Sequence, residues 1–389
     1  MLEYRIIAKD EEKQILDIRD YCFRHVYQGK TLEDFRNWIK ASTTIGAFDK
    51  EKLASQLMIL PLQMNVHNQI YSMGGIGFVA AYPEYRSSGV MKQVMIHALK
   101  QMREQGQLIS VLGPFSVSFY RHFGWEVFFD RLNYTLPIED LPYANADLRA
   151  IIRFDYDQVT HGLELVKQLY TQYADKTNGM MQRDEKWWRR LEMRQPKAVF
   201  AVAMNEQGEP EGYIRYTVQD MTFIILDFIA MNSEAEQQLW QYVKVHESNV
   251  SVVEGAVSAQ DSFGSLWTQP QFEKQIVQDK MIRIVDVEKF LSAYPFHSIE
   301  KSLYLNVTDQ FASWNQGVYK IESKKVTKIV DKDLKDCLQM DITSLSAYLA
   351  GYHDIEWYRY QNKVRATNEV MNDWNKAVPK GFPQFYGHF

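Results

Sequence analysis

Residues that could do chemistry cluster in three places. Arg86-Ser87-Ser88-Gly89 is a short polar turn between an apolar run and an amphipathic one. Gly89 has no Cβ, so a phosphate can lie directly against its backbone. A helix starting there would aim its unpaired N–H groups and the positive end of its dipole at one spot, an anion site suited to phosphate. Arg86 opens the turn and adds positive charge. Further along comes Phe119-Tyr120-Arg121-His122-Phe123-Gly124-Trp125. A phenol with its ordinary pKa of roughly 10 stays protonated at neutral pH, so Tyr120 is a candidate proton donor. The plainer reading is a half-buried packing tyrosine. The third place is the tail from Lys380 to Phe389, aromatic through Phe382, Phe385, Tyr386 and Phe389. Ordinary termini are polar and fray. This one is expected to be buried, which would carry its α-carboxylate somewhere specific. The plainer reading is a staple for the last domain.

The elements that must position these residues are legible. Ile76 to Ala81 reads as an apolar strand broken by Pro83. After the turn, Val90, Met91, Val94, Met95, Ala98, Leu99 and Met102 recur at helical spacing until Gly106 stops the helix. Leu108 to Leu112 is a second short strand, broken by Gly113-Pro114, and Ser116 to Phe123 reads as a short helix. No G-x-x-x-x-G-K-[ST] occurs, and the turn lacks G-x-G-x-x-G, so it is neither a Walker loop nor a dinucleotide turn.

A strand, then P-E-Y-R-x-x-G, then an amphipathic helix resembles the coenzyme A motif of the GNAT N-acetyltransferases. That pattern is Q/R-x-x-G-x-G/A, and Met91 stands where it has Gly or Ala. F-Y-x-x-F-G-W resembles the GNAT segment whose tyrosine faces the thioester sulfur and protonates the leaving thiolate.

Composition narrows the classes. The chain has 389 residues, enough for two or three domains, with 46% hydrophobic and 24% charged residues. A net charge of −5 argues against a nucleic-acid footprint. The first residues show no signal-peptide core, and the most apolar run, Phe223 to Met231, is interrupted by Asp227, so no membrane association is expected. The two cysteines, Cys22 and Cys337, fit a reducing cytoplasm and offer no zinc site. No H-E-x-x-H or H-x-H pair occurs among nine histidines, so no metal is expected.

In order, the chain reads as strand Met1 to Ile7, helix Asp10 to His25, and a helix capped by Thr31. Strands Thr44 to Phe48, Leu53 to Val66 and Ile70 to Ala81 follow, the last two joined by a turn at His67-Asn68-Gln69. Asp140 to Asp147 reads as a linker. Beyond it, strand Leu148 to Tyr156, helices Leu163 to Ala174 and Asp184 to Met193, three strands and helix Ser233 to Ser248 repeat the first order. The equivalent turn is Asn232-Ser233-Glu234, and Glu234 and Glu236 would repel a pyrophosphate. Residues 148–284 therefore read as a GNAT-like copy without its coenzyme site, with an unrelated α/β domain as the alternative. Trp187-Trp188 beside Arg189-Arg190 reads as core rather than an acceptor pocket. From Met281 the pattern is α+β: a helix at Val287 to Ala293, strands, a helix at Ser344 to Ala350 and another at Val364 to Val370.

Taken together, the chain resembles the Eis family: α/β and α+β, with two tandem GNAT domains, 1–140 and 148–284, then a sterol-carrier-protein-like domain, 285–389. The resemblance implies a cytoplasmic N-acetyltransferase, assembled as a hexamer, that uses acetyl-CoA on amines of a small cationic acceptor such as an aminoglycoside, a polyamine or lysine. It implies that Val79, Ala80 and Ala81 pair with the pantetheine arm. Arg86, Ser87, Ser88, Gly89, Val90, Met91 and Lys92 would hold the pyrophosphate, and Phe115 and Ser116 would touch the pantetheine. Tyr120 would be the general acid and the carboxylate of Phe389 the general base. The alternatives are a tandem-GNAT aminoacyl or peptide acyltransferase, a non-catalytic acyl-CoA or lipid binder, and a C-terminal domain that serves only assembly.

Overall fold

The computed structural model describes residues 2–23, 26–142, 147–158, 161–265, 267, 269–297, 299–323, 325–330, 336–387 and 389. Of the features expected from sequence, 24–25 at the end of the first helix, 143–146 within the linker and His388 in the tail lie outside them. The chain divides into two compact units that do not follow chain order: Met1–Phe129 with Asn178–Met181 and Asp279–Phe389, and Asp130–Thr177 with Gln182–Gln278.

The first unit opens with β1 (Glu3–Ile6), α1 (Glu12–Phe23), α2 (Gly29–Ala41) and β2 (Thr43–Asp49). The helix expected to be capped by Thr31 starts earlier, with Gln28 as its N-cap; the Thr31 hydroxyl donates to the Gln28 carbonyl. β3 (Lys52–Val66) and β4 (Gln69–Ala81) form a long hairpin. Its turn is His67-Asn68, both left-handed at φ 50° and 67°, which matches the twist of the strands. α3 (Val90–Glu104) buries its expected stripe: Val90, Val94, Met95, Ala98, Leu99 and Met102 pack on Ile45, Leu57, Ile59 and Ile76, with Met91 half-buried beside them. β5 (Ile109–Leu112), α4 (Val117–His122) and β6 (Glu126–Pro137) follow.

The second unit runs through β7 (Ile151–Asp155), α5 (His161–Lys176), α6 (Glu185–Arg194), β8 (Val199–Met204), β9 (Pro210–Gln219), β10 (Thr222–Ala230), α7 (Ser233–Lys244) and β11 (Val252–Ser258). Its strand order is β6-β11-β10-β9-β8-β7. Trp187 and Trp188 are buried, and the Arg183 guanidinium lies 4.0 Å from the Tyr170 ring and 5.1 Å from that of Trp188. That pair is core.

Return to the first unit comes through β12 (Glu273–Ile284), which pairs with β5 from Met281↔Leu112 to Ile284↔Ile109. The first unit's strand order is thus β1-β2-β3-β4-β5-β12. The strand expected to start at Met281 begins eight residues earlier; most of those residues are exposed and carry no apolar signal. Then come α8 (Val287–Ala293), β13 (Leu303–Thr308), β14 (Gly317–Glu322), β15 (Lys325–Ile329), β16 (Leu338–Asp341), α9 (Ile342–Leu349), α10 (Ile355–Tyr360), β17 (Val364–Arg365) and α11 (Asn368–Ala377). A five-stranded sheet, β15-β14-β13-β16-β17, backs these helices. The helix expected over Val364 to Val370 is instead a two-residue strand, and α11 starts after it on a Thr367 cap. α10 was not expected; Asp354 caps it. No helix among the described residues is long and apolar enough to cross a membrane.

Candidate active site

The site begins with a fault in β4. Against β3 the register runs Gln56↔Ala80 and then Met58↔Gly77, so Phe78 and Val79 together face Leu57. That is a β-bulge. Phe78 takes it up at φ 52°, a conformation uncommon for a bulky residue. Its ring is held by Phe35 at 4.5 Å and Phe23 at 6.2 Å. On its other side β4 pairs in parallel with β5 only from Met73↔Ile109 to Ile76↔Leu112. Beyond Ile76 the strands part, and Phe78 to Ala81 run on without a β5 partner. Strand backbone without a partner on that side can bond an extended chain. Val79 and Ala81 are half-buried and Ala80 is buried. The Ala80 carbonyl accepts from the Ser55 hydroxyl at 2.9 Å.

The turn that follows is built for an anion. Ser87 and Gly89 are both left-handed, at φ 60° and 80°, which curls successive N–H groups to one side. Gly89 is the N-cap of α3, no side chain caps the helix, and a Cβ at Gly89 would meet nothing within 4 Å. The first N–H groups of α3 are thus offered to a ligand. Ser88 donates to the Tyr85 carbonyl at 2.6 Å, which holds the turn. Arg86 is exposed, but its Nε donates back to the Ala81 carbonyl at 3.0 Å, and its Nη2 lies 3.9 Å from Cys22 Sγ. It braces the turn to the end of β4. Lys92 is exposed, with Nζ 5.8 Å from the Phe311 ring.

Beyond β5, Ser116 caps α4 by accepting from the Phe119 N–H, and it is half-buried; Phe115 is exposed. Tyr120 is 3% exposed, ringed edge-on by Phe115 at 5.3 Å and Phe119 at 5.0 Å. Burial pushes its phenol well above the ordinary value, so it stays a proton donor at any working pH. The Phe-Gly-Trp sequence just after has a structural purpose. Gly124 sits at φ 94°, and a Cβ there would collide with the Arg283 guanidinium. Arg283, fully buried, donates from Nη1 to the Phe123 carbonyl at 2.5 Å and pairs with Asp309 through two bonds of 2.7 and 2.8 Å.

The tail ends on β4. A Cβ on Gly75 would lie 3.0 Å from Cε2 of Phe389, and one on Gly77 would lie 4.0 Å from the Phe389 carboxyl carbon. Two glycines on one face of a strand thus make room for the last residue, just before the bulge. Phe385 is buried, edge-on to Phe389 at 6.2 Å and to Phe128 at 6.1 Å, with the Lys280 ammonium 5.6 Å from its ring. The structure therefore seats Phe389 on the face of β4 that carries Gly75 and Gly77, and packs Tyr120 in one apolar cluster with Ile76 of β4 and Val90 at the start of α3. It does not aim Arg86 at the turn's open side. Sequence reasoning missed the Phe78 bulge, Lys280 and the segment Asn178–Met181, none of which carries a local signal; Gly124 was in view but its reason was not.

The second unit repeats the short parallel pairing and the bulge. β10 pairs with β11 in parallel only from Thr222↔Val252 to Ile224↔Glu254, and it bulges between Ile225 and Asp227. At that bulge the Asp227 carboxylate accepts from Arg183 and Arg215 at 2.8–2.9 Å. Burial would raise its pKa, but the two guanidinium groups outweigh that and hold it down at about 2. Phe228 stacks on Trp240 at 4.6 Å, and Trp240 meets Phe263 and Trp267. At the start of α7 the Asn232 side chain accepts from the Ala235 N–H, and Glu234 and Glu236 lie in the first turn. An acidic, side-chain-capped helix start disfavours an anion.

An acetyltransferase (GNAT) domain model matches residues 3–128, a second acetyltransferase (GNAT) domain model matches 179–284, and a sterol carrier protein domain model matches 287–386. An uncharacterized N-acetyltransferase of Streptomyces griseus is 23% identical over 297 residues, covering 69% of this chain and 70% of that protein. A probable N-acyltransferase of Enterococcus faecalis superposes over all of both chains with a TM-score of 0.91 and 27% identity. Eis1 from Mycobacterium abscessus shares the fold over all of both chains, with a TM-score of 0.83 and 18% identity. Two acetyltransferase (GNAT) domains followed by a sterol carrier protein domain make this chain a GNAT-type acyltransferase.

Proposed function

We propose that the first GNAT domain moves an acetyl group from acetyl-CoA to a primary amine of a small cationic acceptor of the aminoglycoside, polyamine or lysine type. The seat of the Phe389 carboxyl beside Gly77, where β4 runs on past its last β5 partner, carries the reading. An amine acceptor is protonated in water and must lose a proton before it can attack. A carboxylate in a partly apolar cleft attracts the ammonium group and takes that proton. The amine nitrogen then bonds the thioester carbon, and the carbonyl oxygen becomes an oxyanion that the Val79 N–H stabilises. The C–S bond breaks, and Tyr120 gives its proton to the thiolate. No covalent enzyme intermediate is needed.

In the same reading Val79, Ala80 and Ala81 take the pantetheine. Residues Ser87 to Lys92 take the pyrophosphate, with Arg86 holding the turn in shape, and Phe115 and Ser116 line the arm. The second GNAT domain holds no coenzyme. Its acidic, side-chain-capped helix start supports that, as does the aspartate-bridged arginine pair at its bulge. A net charge of −5 suits a cationic acceptor. The protein would act as a hexamer in the cytoplasm.

The test is thiol release from acetyl-CoA across aminoglycosides, polyamines and lysine peptides. Release with a cationic amine, and none with neutral hydroxy compounds, is expected. Tight coenzyme binding with no release from any amine would overturn the transferase reading in favour of another acyl donor or a binding protein.

A further inference from the structure

The segment Asn178–Met181 leaves the second domain's sequence and packs into the first unit. There it ties together three parts of the chain that are far apart in sequence. The Asn178 side-chain oxygen accepts from the His67 N–H at 3.0 Å, at the turn of the β3–β4 hairpin. Its side-chain nitrogen donates to the Ala350 carbonyl at 2.8 Å, after α9, and to the Gly381 carbonyl at 3.0 Å, where the tail begins. Its main-chain carbonyl accepts from the Gln384 N–H at 2.8 Å. Gly179 is left-handed at φ 83°, and a Cβ there would lie 2.7 Å from the Gln384 carbonyl and 2.8 Å from Pro383. Met181 forms a bridge with Met64 of β3, and a Cβ on Gly387 would lie 3.2 Å from its Cε. Met180 and Met181 are both fully buried. The segment grips the tail at its start and again near its end, and both grips are referred to the hairpin whose second strand carries Gly75 and Gly77.

We infer that Asn178, with Gly179, is a positioning residue: it sets the tail so that the Phe389 carboxylate reaches β4. This rests on the reading of that carboxylate as the base. An asparagine can do this because its oxygen accepts while its nitrogen donates twice. Asn178→Asp keeps the acceptor for His67 but turns a carboxylate towards two carbonyls, so the tail is released while the hairpin contact stays.

The experiment pairs two measurements on the full-length protein, after thermal melting has shown each variant folded. One is the rate at which carboxypeptidase A removes Phe389. The other is kcat and KM for an amine accepted by the native enzyme, in the native background and in one lacking Phe389. Asn178→Asp and Gly179→Ala are expected to speed removal of Phe389 and to lower kcat about tenfold or more, as loss of one or two hydrogen bonds would, with acetyl-CoA affinity within about twofold. In the background lacking Phe389 the same changes should lower kcat no further, since both act through one group. An unchanged rate of Phe389 removal would overturn the clamp and leave the base standing. Faster removal with normal turnover would overturn the base, and with it any catalytic part for Asn178. An equal fall in kcat with and without Phe389 would also overturn the inference, because the effect would not pass through the tail.

Discussion

Tyr120 and Phe389 are the two groups on which turnover should depend most steeply, for opposite electrostatic reasons. The phenol is buried among aromatic rings, and burial there favours its neutral, proton-bearing form. Tyr120→Phe keeps the ring and its packing and removes only the transferable proton. We expect kcat to fall by about 10²-fold or more, the usual worth of a positioned acid, with the acetyl-CoA dissociation constant unchanged by calorimetry. A normal kcat would remove Tyr120 from the mechanism. The proposed base is the carboxylate of a terminal Phe389, so adding one residue after it shifts the charge by a whole residue length without altering any side chain. Turnover should drop strongly in the extended protein while its melting temperature holds. Unchanged turnover would reject the carboxylate base.

At the scale of elements, the recurrent device is a strand pair that separates, and what differs between the two domains is how the next helix begins. In the first, β4 parts from β5 and the next helix starts on an uncapped glycine. In the second, β10 parts from β11, and the helix is capped by Asn232 and made acidic in its first turn. The α4 segment that carries Tyr120 depends on an element contributed from far along the chain, because Arg283 of β12 reaches the Phe123 carbonyl over Gly124. Gly124→Ala should destabilise the fold by at least ~2 kcal/mol. It combines overpacking against a buried guanidinium with a side chain at positive φ. Urea unfolding would measure this; a loss under about 0.5 kcal/mol would mean that Arg283 can move aside at little cost.

At the scale of the whole molecule, the tail, the β3–β4 turn and the end of α9 meet at His67 and Asn178 in the first unit, and this junction should weaken in acid. Burial foremost, with some help from the charge of His297 and against a contact to the Leu349 carbonyl, lowers the pKa of His67 to about 4. An unfolded histidine takes its proton near pH 6.5. Between these values the unfolded chain binds a proton that the folded chain refuses. The stability His67 confers is therefore complete above about pH 6.5 and is lost as the pH falls towards 4. Urea midpoints at pH 7 and pH 5 should differ more for the native protein than for His67→Asn, which tolerates the left-handed turn and does not titrate there. Equal differences would show that other groups set the acid sensitivity.

What the sequence determined by itself was local. The apolar spacing of Val90 to Met102 fixes which face of α3 is buried. Gly89 ahead of that stripe marks where the helix begins; the aromatic density of the tail foretold burial for Phe385, while Phe382 is exposed and Tyr386 and Phe389 are half-buried. These rest on chain chemistry within one turn or one strand, so they survive without a fold. The order of elements in the two tandem domains is legible for the same reason. Tertiary structure alone decided the rest. A phenylalanine at φ 52° in the middle of a strand cannot be foreseen, because the packing of Phe23 and Phe35 holds it there. Arg86 donates to the carbonyl at the end of its own strand, a contact set by how the turn folds back. The seat of Phe389 beside Gly75 and Gly77, and the Asn178 clamp that holds the tail, join residues far apart in sequence. Such contacts follow from where the folded strands bring the backbone, and no spacing along the chain encodes them.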